Sequence, residues 1–161
     1  MLRNMRRSAQ ALDRDACVSI LEKATSGVLA LSGDDGYPYA VPLSFVYTDG
    51  KVYFHCATEG HKLDAIRSCD KASFCVIEQD TVVPERFTTH YRSVILFGRI
   101  HPIESREEKM AALIRLAEKY SPNQPHMHRE VEDSFERLCM LELAVEHMSG
   151  KQARALAQQQ K

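Results

Sequence analysis

A mainly β, α+β fold, an antiparallel barrel of about six strands with helices packed outside it, is what this sequence predicts, on three observations. Short runs of β-formers are joined by Gly and Asp turns rather than by helices. Two hairpins follow one another directly, which is the start of an antiparallel meander. Helical patterns occur at the start, middle and end of the chain instead of alternating with strands, which excludes a doubly wound parallel sheet.

The elements follow in order. Asp13 is placed to cap a helix running to about Lys23, with Leu12, Ala16, Ile20 and Leu21 on one apolar face. Gly27–Leu31 reads as a strand, Gly33-Asp34-Asp35-Gly36 as a turn, and Tyr39–Tyr47 as the returning strand. Asp49-Gly50 then turns the chain into Lys51–Cys56. A short helix is expected near His61–Ser68, a strand at Ala72–Glu78, and an irregular polar stretch at Gln79–Thr89. Arg92–Ile103 is a long strand in which Gly98 marks a bulge or bend. Ser105-Arg106-Glu107-Glu108 is a capping box opening a helix striped by Met110, Leu113, Ile114 and Ala117. A second helical piece spans roughly Arg129–Arg137, Cys139–Val145 is the last strand, and the polar tail from Gln152 ends the chain with a short helix. These boundaries divide the chain into an N-terminal arm (1–12), one domain (13–151) and a C-terminal tail (152–161), with no internal repeat.

Composition narrows the function classes. With 161 residues, 44% hydrophobic and 27% charged, the chain is one ordinary globular domain. Lys+Arg 21 against Asp+Glu 22 leaves a formal charge of −1, so no global field draws in nucleic acid or an anionic membrane. Met1–Arg7 is locally basic, and reads as a disordered start more readily than as a functional arm. The five cysteines are scattered without a C-x-x-C pair, which fits reduced thiols in a cytoplasmic protein. Neither an apolar run of membrane-spanning length nor a signal peptide is expected.

Val52–Lys62, V-Y-F-H-C-A-T-E-G-H-K, carries the most chemistry. A strand breaks into a glycine turn, and His61-Lys62 opens a helix, so backbone N–H groups, a helix N-terminus and a cation meet as a phosphate requires. Pro42 interrupts an otherwise good strand. It belongs at a sheet edge or a break, where backbone groups of Val41, Leu43 and Ser44 are free for a planar heterocycle. His55 and His61, six apart, could bind metal only with Cys56 or Glu59 drafted in, and no metal spacing supports that; His126 and His128 read as a solvated loop. No nucleophile elbow, P-loop or dinucleotide fingerprint occurs, so any catalysis falls to a cofactor. Met148-Ser149-Gly150-Lys151 with Arg154 reads as a basic turn closing the last strand, open to an anionic ligand, a partner subunit or plain solvent.

Taken jointly, G-V-L-A-L at Gly27–Leu31, G-Y-P-Y-A-V-P-L-S-F at Gly36–Phe45, D-G-K-V-Y-F-H-C-A at Asp49–Ala57, E-G-H-K at Glu59–Lys62, Y-R-S-V-I-L-F-G-R-I at Tyr91–Ile100 and E-H-M-S-G-K at Glu146–Lys151 resemble the pyridoxamine 5′-phosphate oxidase-like flavoproteins, in particular the nitroimidazole-resistance branch. The resemblance implies a six-stranded antiparallel split barrel that dimerises with FMN between the subunits. It implies that Val41, Pro42, Leu43 and Ser44 line the flavin ring and ribityl chain and that His55, Cys56 and Ala57 continue that wall. His61 and Lys62 would hold the phosphate, and Ser93 would approach from the partner chain. The arginine-rich anchoring of the phosphate-oxidase branch proper is absent, which argues against pyridoxamine phosphate as substrate. The implied function is an FMN-dependent oxidoreductase (FAD being the alternative cofactor) that reduces a small electrophile such as a nitroaromatic. A non-catalytic flavin or haem binder, with His55 or His61 as axial ligand, is the competing reading, and a barrel used only for dimerisation is a third.

Overall fold

The computed structural model describes residues 5–158. Eight strands build one antiparallel sheet: β1 (Ala11–Leu12), β2 (Gly27–Ser32), β3 (Pro38–Leu43), β4 (Val46–Thr48), β5 (Lys51–Ala57), β6 (Lys71–Val83), β7 (Thr88–Pro102) and β8 (Leu138–Gln152). Five helices accompany them: α1 (Arg14–Lys23), α2 (His61–Ser68), α3 (Arg106–Tyr120), α4 (Met127–Ser134) and α5 (Arg154–Gln158). The strand order is β3-β2-β6-β7-β8-β5-β4, with β1 pairing β8 off this path. The two ends of the ladder, β3 and β4, are consecutive in the chain. The sheet therefore stays open along a seam that only Ser44 and Phe45 cross, and the barrel is split rather than closed.

Both expected hairpins form. Asp35 and Gly36 (φ 53° and 79°) turn β2 into β3, and Asp49 and Gly50 (φ 50° and 81°) turn β4 into β5. Two positive φ values in succession suit Asp-Gly because glycine has no Cβ to clash and aspartate tolerates the left-handed region. Asp13 caps α1 by accepting from the Ala16 N–H at 2.8 Å, and Ser105 caps α3 by accepting from the Glu108 N–H at 3.3 Å.

Three expectations need correction. There are eight strands, not six, because β1 adds a short edge piece and Tyr39–Tyr47 is two strands parted at the seam. Gln79–Thr89 is not irregular: β6 runs on to Val83, a short 3-10 turn covers Pro84–Arg86, Phe87 takes a left-handed φ of 48°, and β7 starts at Thr88. The β-branched Thr81, Val82, Val83, Thr88 and Thr89 hold this ribbon extended, but its largely exposed faces carry no apolar alternation to announce it. Met148–Lys151 is not a turn, for β8 passes straight through it. Gly150 is small for packing instead, since a Cβ there would overlap the Cys17 sulfur and crowd Leu12. At the end of the N-terminal arm, Ala11 and Leu12 pair with Lys151 and Gly150; residues 1–4 and 159–161 of the arm and tail lie outside the described residues.

Gly98 marks a bulge, as expected: the β7–β8 register shifts between Phe97 and Gly98, and a Cβ there would overlap the Ala144 carbonyl. Two cores result. Inside the barrel, Leu21, Leu29, Phe45, Val52, Phe54, Phe74, Val76, Val94, Leu96 and Leu143 pack together. On the outer face of β4, β5 and β8, Val46, Tyr53 and Met140 meet Leu113 and Leu116 of α3, Val131 of α4 and Phe135.

Candidate functional site

Phe45 is fully buried at the seam, yet its backbone has left the ladder. A buried amide without a partner is costly, and α3 supplies the partner. The Phe45 N–H donates to the Tyr120 hydroxyl oxygen at 2.8 Å, and that hydroxyl faces the Phe45 carbonyl at 2.9 Å and the Thr25 carbonyl beside it. Next along α3, the Lys119 ammonium sits 4.2 Å above the Phe45 ring and 3.4 Å from the Leu21 carbonyl, and burial lowers its pKa. The last turn of α3 thus clamps the break. Tyr120→Phe should destabilise the protein by about 1–3 kcal/mol, the cost of stranding a buried donor. Thermal unfolding checks this, with a fall of roughly 2–4 °C per kcal/mol expected for a domain of this size.

Beside the clamp lies a cavity of about 480 Å³ lined by Ser44, His55, Leu113, Leu116, Ala117, Tyr120, Met127, Glu130, Val131, Ser134 and Leu138. Its walls are mostly apolar, with a few polar groups at definite points, the pattern of a small-molecule site. His55 reaches it because β5 alternates: Phe54 points into the barrel core, while His55 stands opposite Met140 on the face that α3 and α4 cover.

Cys56, the next residue, packs against the barrel core and lies directly across from Cys139 of β8. Burial and the Cys139 thiol push the Cys56 thiol up, Lys62 opposes them, and the result is about 11. At pH 8 only about one such thiol in a thousand is ionised, and the thiolate is the reactive form. Alkylation of Cys56 by iodoacetamide, followed site by site with mass spectrometry, should therefore be slow at neutral pH and keep rising to about pH 11. A plateau near pH 9 would contradict this placement.

Beyond Ala57 the chain turns at Gly60, whose φ of 120° favours glycine, and α2 begins. The N–H groups of Leu63 and Asp64 fold back on the Gly60 carbonyl. His61 is engaged: its ring stacks on Tyr39 at 4.1 Å, and its Nε2 lies 3.6 Å from an Asp34 carboxylate oxygen. Lys62 is half-buried and forms no ion pair among the described residues. Of the two residues expected at a phosphate, Lys62 is the available cation, whereas His61 has a carboxylate beside it that repels an anion.

The remaining expected residues divide between two faces. Val41 and Leu43 pack against the barrel core. Pro42 lies on the edge strand with its side chain exposed, opposite Val28. Val28 in turn faces Cys75, Cys75 faces Ile95, and Ile77 faces Ser93. Pro42 and Ser93 thus share the sheet's outer surface with Val28, Ile77 and Ile95, of which Ile77 is 64% exposed. Ser44 and His55 open instead on the α3–α4 cavity. Sequence reasoning missed Tyr120 and the cavity wall, because Leu113, Leu116 and Val131 carry no signal beyond a helical apolar stripe. No three His, Cys, Asp or Glu side chains converge as metal ligands, and no helix is long and apolar enough to cross a membrane, among the described residues.

The family model for pyridoxamine 5′-phosphate oxidase matches residues 13–152. The chain belongs to this family. No curated protein matches it. Among solved structures it is similar to a candidate 5-nitroimidazole antibiotic resistance protein from Bacteroides thetaiotaomicron (22% identity, 88% of this chain and 85% of that one, TM-score 0.74). It is also similar to a flavocytochrome from Azotobacter vinelandii (21% identity, 93% and 72%, TM-score 0.76). A third is an FAD- and haem-binding protein from Mycobacterium smegmatis (23% identity, 91% and 74%, TM-score 0.73). At these identities the likeness establishes the shared split-barrel fold.

Proposed function

We propose that this member of the family is a flavin-dependent oxidoreductase, with FMN as cofactor, that reduces a small electrophile of the nitroaromatic class. One observation carries the reading: Lys62, half-buried and without an ion pair among the described residues, sits on the first turn of α2, directly after the strand whose His55 looks into the apolar cavity. The donor set fits a flavin monophosphate. Lys62 offers the charge, the start of α2 adds its positive end, and the seam provides a break beside which a planar ring can lie. Bound there, a flavin supplies the redox chemistry, taking electrons from a donor such as a nicotinamide and passing them to the substrate. The chain's residues bind and orient. Leu113, Leu116 and Val131 give the cavity an apolar wall, and His55 and Ser44 are placed there to donate a hydrogen bond to a nitro or carbonyl oxygen. The likeness to a candidate nitroimidazole-resistance protein favours this substrate class.

The purified protein should be yellow and should release FMN on denaturation. A colourless protein that does not take up FMN, FAD or riboflavin would overturn the reading; FAD in place of FMN would change the cofactor and leave the fold argument intact. The protein works as a homodimer in this reading, joined through the outer stripe of Val28, Ile77 and Ile95, so that Ser93 of one chain meets the flavin of the other. Five thiols free of disulfides suit a cytoplasmic setting.

A second reading, haem binding, is favoured by the apolar cavity with a histidine at its wall and by the two haem-associated relatives. His55 is then the axial ligand, because His61 is held by Tyr39 and Asp34. Titration with haem should give a Soret band that His55→Ala abolishes and His61→Ala leaves; no band at all dismisses this reading.

A further inference from the structure

A second concavity, of about 700 Å³, lies between the two ends of the described chain, where α5 packs against the 3-10 turn Ser8–Gln10. Its lining comes from two segments remote in sequence: Arg6, Arg7, Ser8, Ala9 and Gln10 from one, Arg154, Ala157 and Gln158 from the other. Three guanidinium groups meet there without one carboxylate in the lining, in a chain whose formal charge is −1. None of the three forms an ion pair among the described residues. Elsewhere Arg67, Arg92, Arg99, Arg106 and Arg129 have a carboxylate within 4 Å, while Arg14, Arg86, Arg115 and Arg137, like these three, have none among the described residues; what distinguishes the concavity is that three such side chains share one lining. A separate observation marks the base of the concavity. Gln10 is 8% exposed, and its amide oxygen has no donor among the described residues, which is uncommon for a buried polar group.

We propose that this concavity is a binding site for a phosphorylated organic molecule of the nucleoside diphosphate class. Planar guanidinium forks match phosphate oxygens two at a time, and three of them suit a diphosphate better than a single phosphate. A bare anion would occupy a small part of about 700 Å³. The rest of the wall, the Ala9 and Ala157 methyl groups with the Gln158 amide, suits the organic portion. Hydroxyl or amino groups on that portion supply donors of the kind the Gln10 oxygen lacks. Ligand binding would tie the arm before β1 to the helix after β8, and so hold both ends of the chain against the sheet.

The site is independent of the flavin, and its test keeps the two apart. Calorimetric titration of ADP into the full chain saturated with FMN should show one binding event, and adenosine should show none. Arg7→Ala and Arg154→Ala should each weaken ADP by about tenfold, the scale of one charge-assisted contact, with unchanged melting temperature because both side chains are exposed and form no ion pair among the described residues. ADP should also slow tryptic cleavage after Arg6, Arg7 and Arg154, a readout that needs no activity. Absence of ADP binding, its loss when FMN is added (which would assign the nucleotide to the Lys62 turn), or undiminished ADP affinity in both arginine variants would each overturn the proposal. If the protein takes up no FMN, the same titration on the unliganded chain decides the proposal while the flavin reading fails alone.

Discussion

Phe74→Ala should cost about 3–5 kcal/mol of stability, the range for emptying a packed phenylalanine site. Phe74 is fully buried at the centre of the barrel core, edge-on to Phe45 at 4.8 Å and to Phe54 at 5.0 Å. The ring is enclosed from separate parts of the sheet, by Phe54 of β5, by Phe45 at the seam and by Gly27 of β2. Gly27 of β2 lacks a Cβ where one would overlap the ring tip, so the backbone of β2 comes right up to Phe74. Phe45, the second ring of the trio, is the residue that crosses the seam under the Tyr120 clamp. Losing Phe74 therefore frees Phe45 as well as leaving a void. A domain with a net stability of roughly 5–15 kcal/mol would lose a large share of it. Urea unfolding checks the magnitude, and Phe74→Leu, which keeps most of the volume, should cost less than about 1.5 kcal/mol. Equal losses for both variants would mean that the aromatic edge contacts, not the volume, carry the effect.

What could be read from the residues alone follows from how local each signal is. The Asp-Gly turns announced both hairpins because positive φ at two successive positions is a demand the dipeptide itself meets. Helix α2 fell at His61–Ser68 as expected because Gly60 sets its start and Leu63 and Ile66 are its buried face. The seam was half legible. Pro42 did mark an edge strand, but Y-A-V-P-L-S-F-V-Y keeps β-character throughout, and what ends β3 is a hydroxyl 75 residues later in the chain. Gly150 misled for the opposite reason. Its smallness serves a contact with Cys17 and Leu12 that no local pattern carries, and it was read as a turn. The family resemblance supplied the fold where local signals were weak, and the match over residues 13–152 agrees with it. It did not separate His61 from Lys62. Only the neighbours of His61, Tyr39 and Asp34, do that.

That separation gives the second large effect. Lys62→Ala should weaken FMN by about 1.5–3 kcal/mol, the range for a hydrogen bond to a charged group, which is roughly ten- to a hundredfold in Kd. Riboflavin, which lacks the phosphate, should bind both forms alike. His61→Ala should cost far less, because the ring is occupied by Tyr39 and its nitrogen lies by the Asp34 carboxylate. Asp34→Asn should slightly tighten FMN, since it removes a negative charge from the same turn; Asp34 is 86% exposed at its side chain, so screening keeps that gain small. Lys62→Arg tests the geometry, because a planar fork does not place its charge where a point cation does. Fluorescence quenching of FMN and of riboflavin, run in parallel on the four variants, checks all of this. Equal losses of FMN and riboflavin in Lys62→Ala would show that Lys62 acts by holding up α2 rather than by meeting a phosphate. Since Lys62 also lies close enough to Cys56 to oppose the rise in its thiol, the same variant should make that cysteine still slower to alkylate. The two measurements thus read one cation from its two sides.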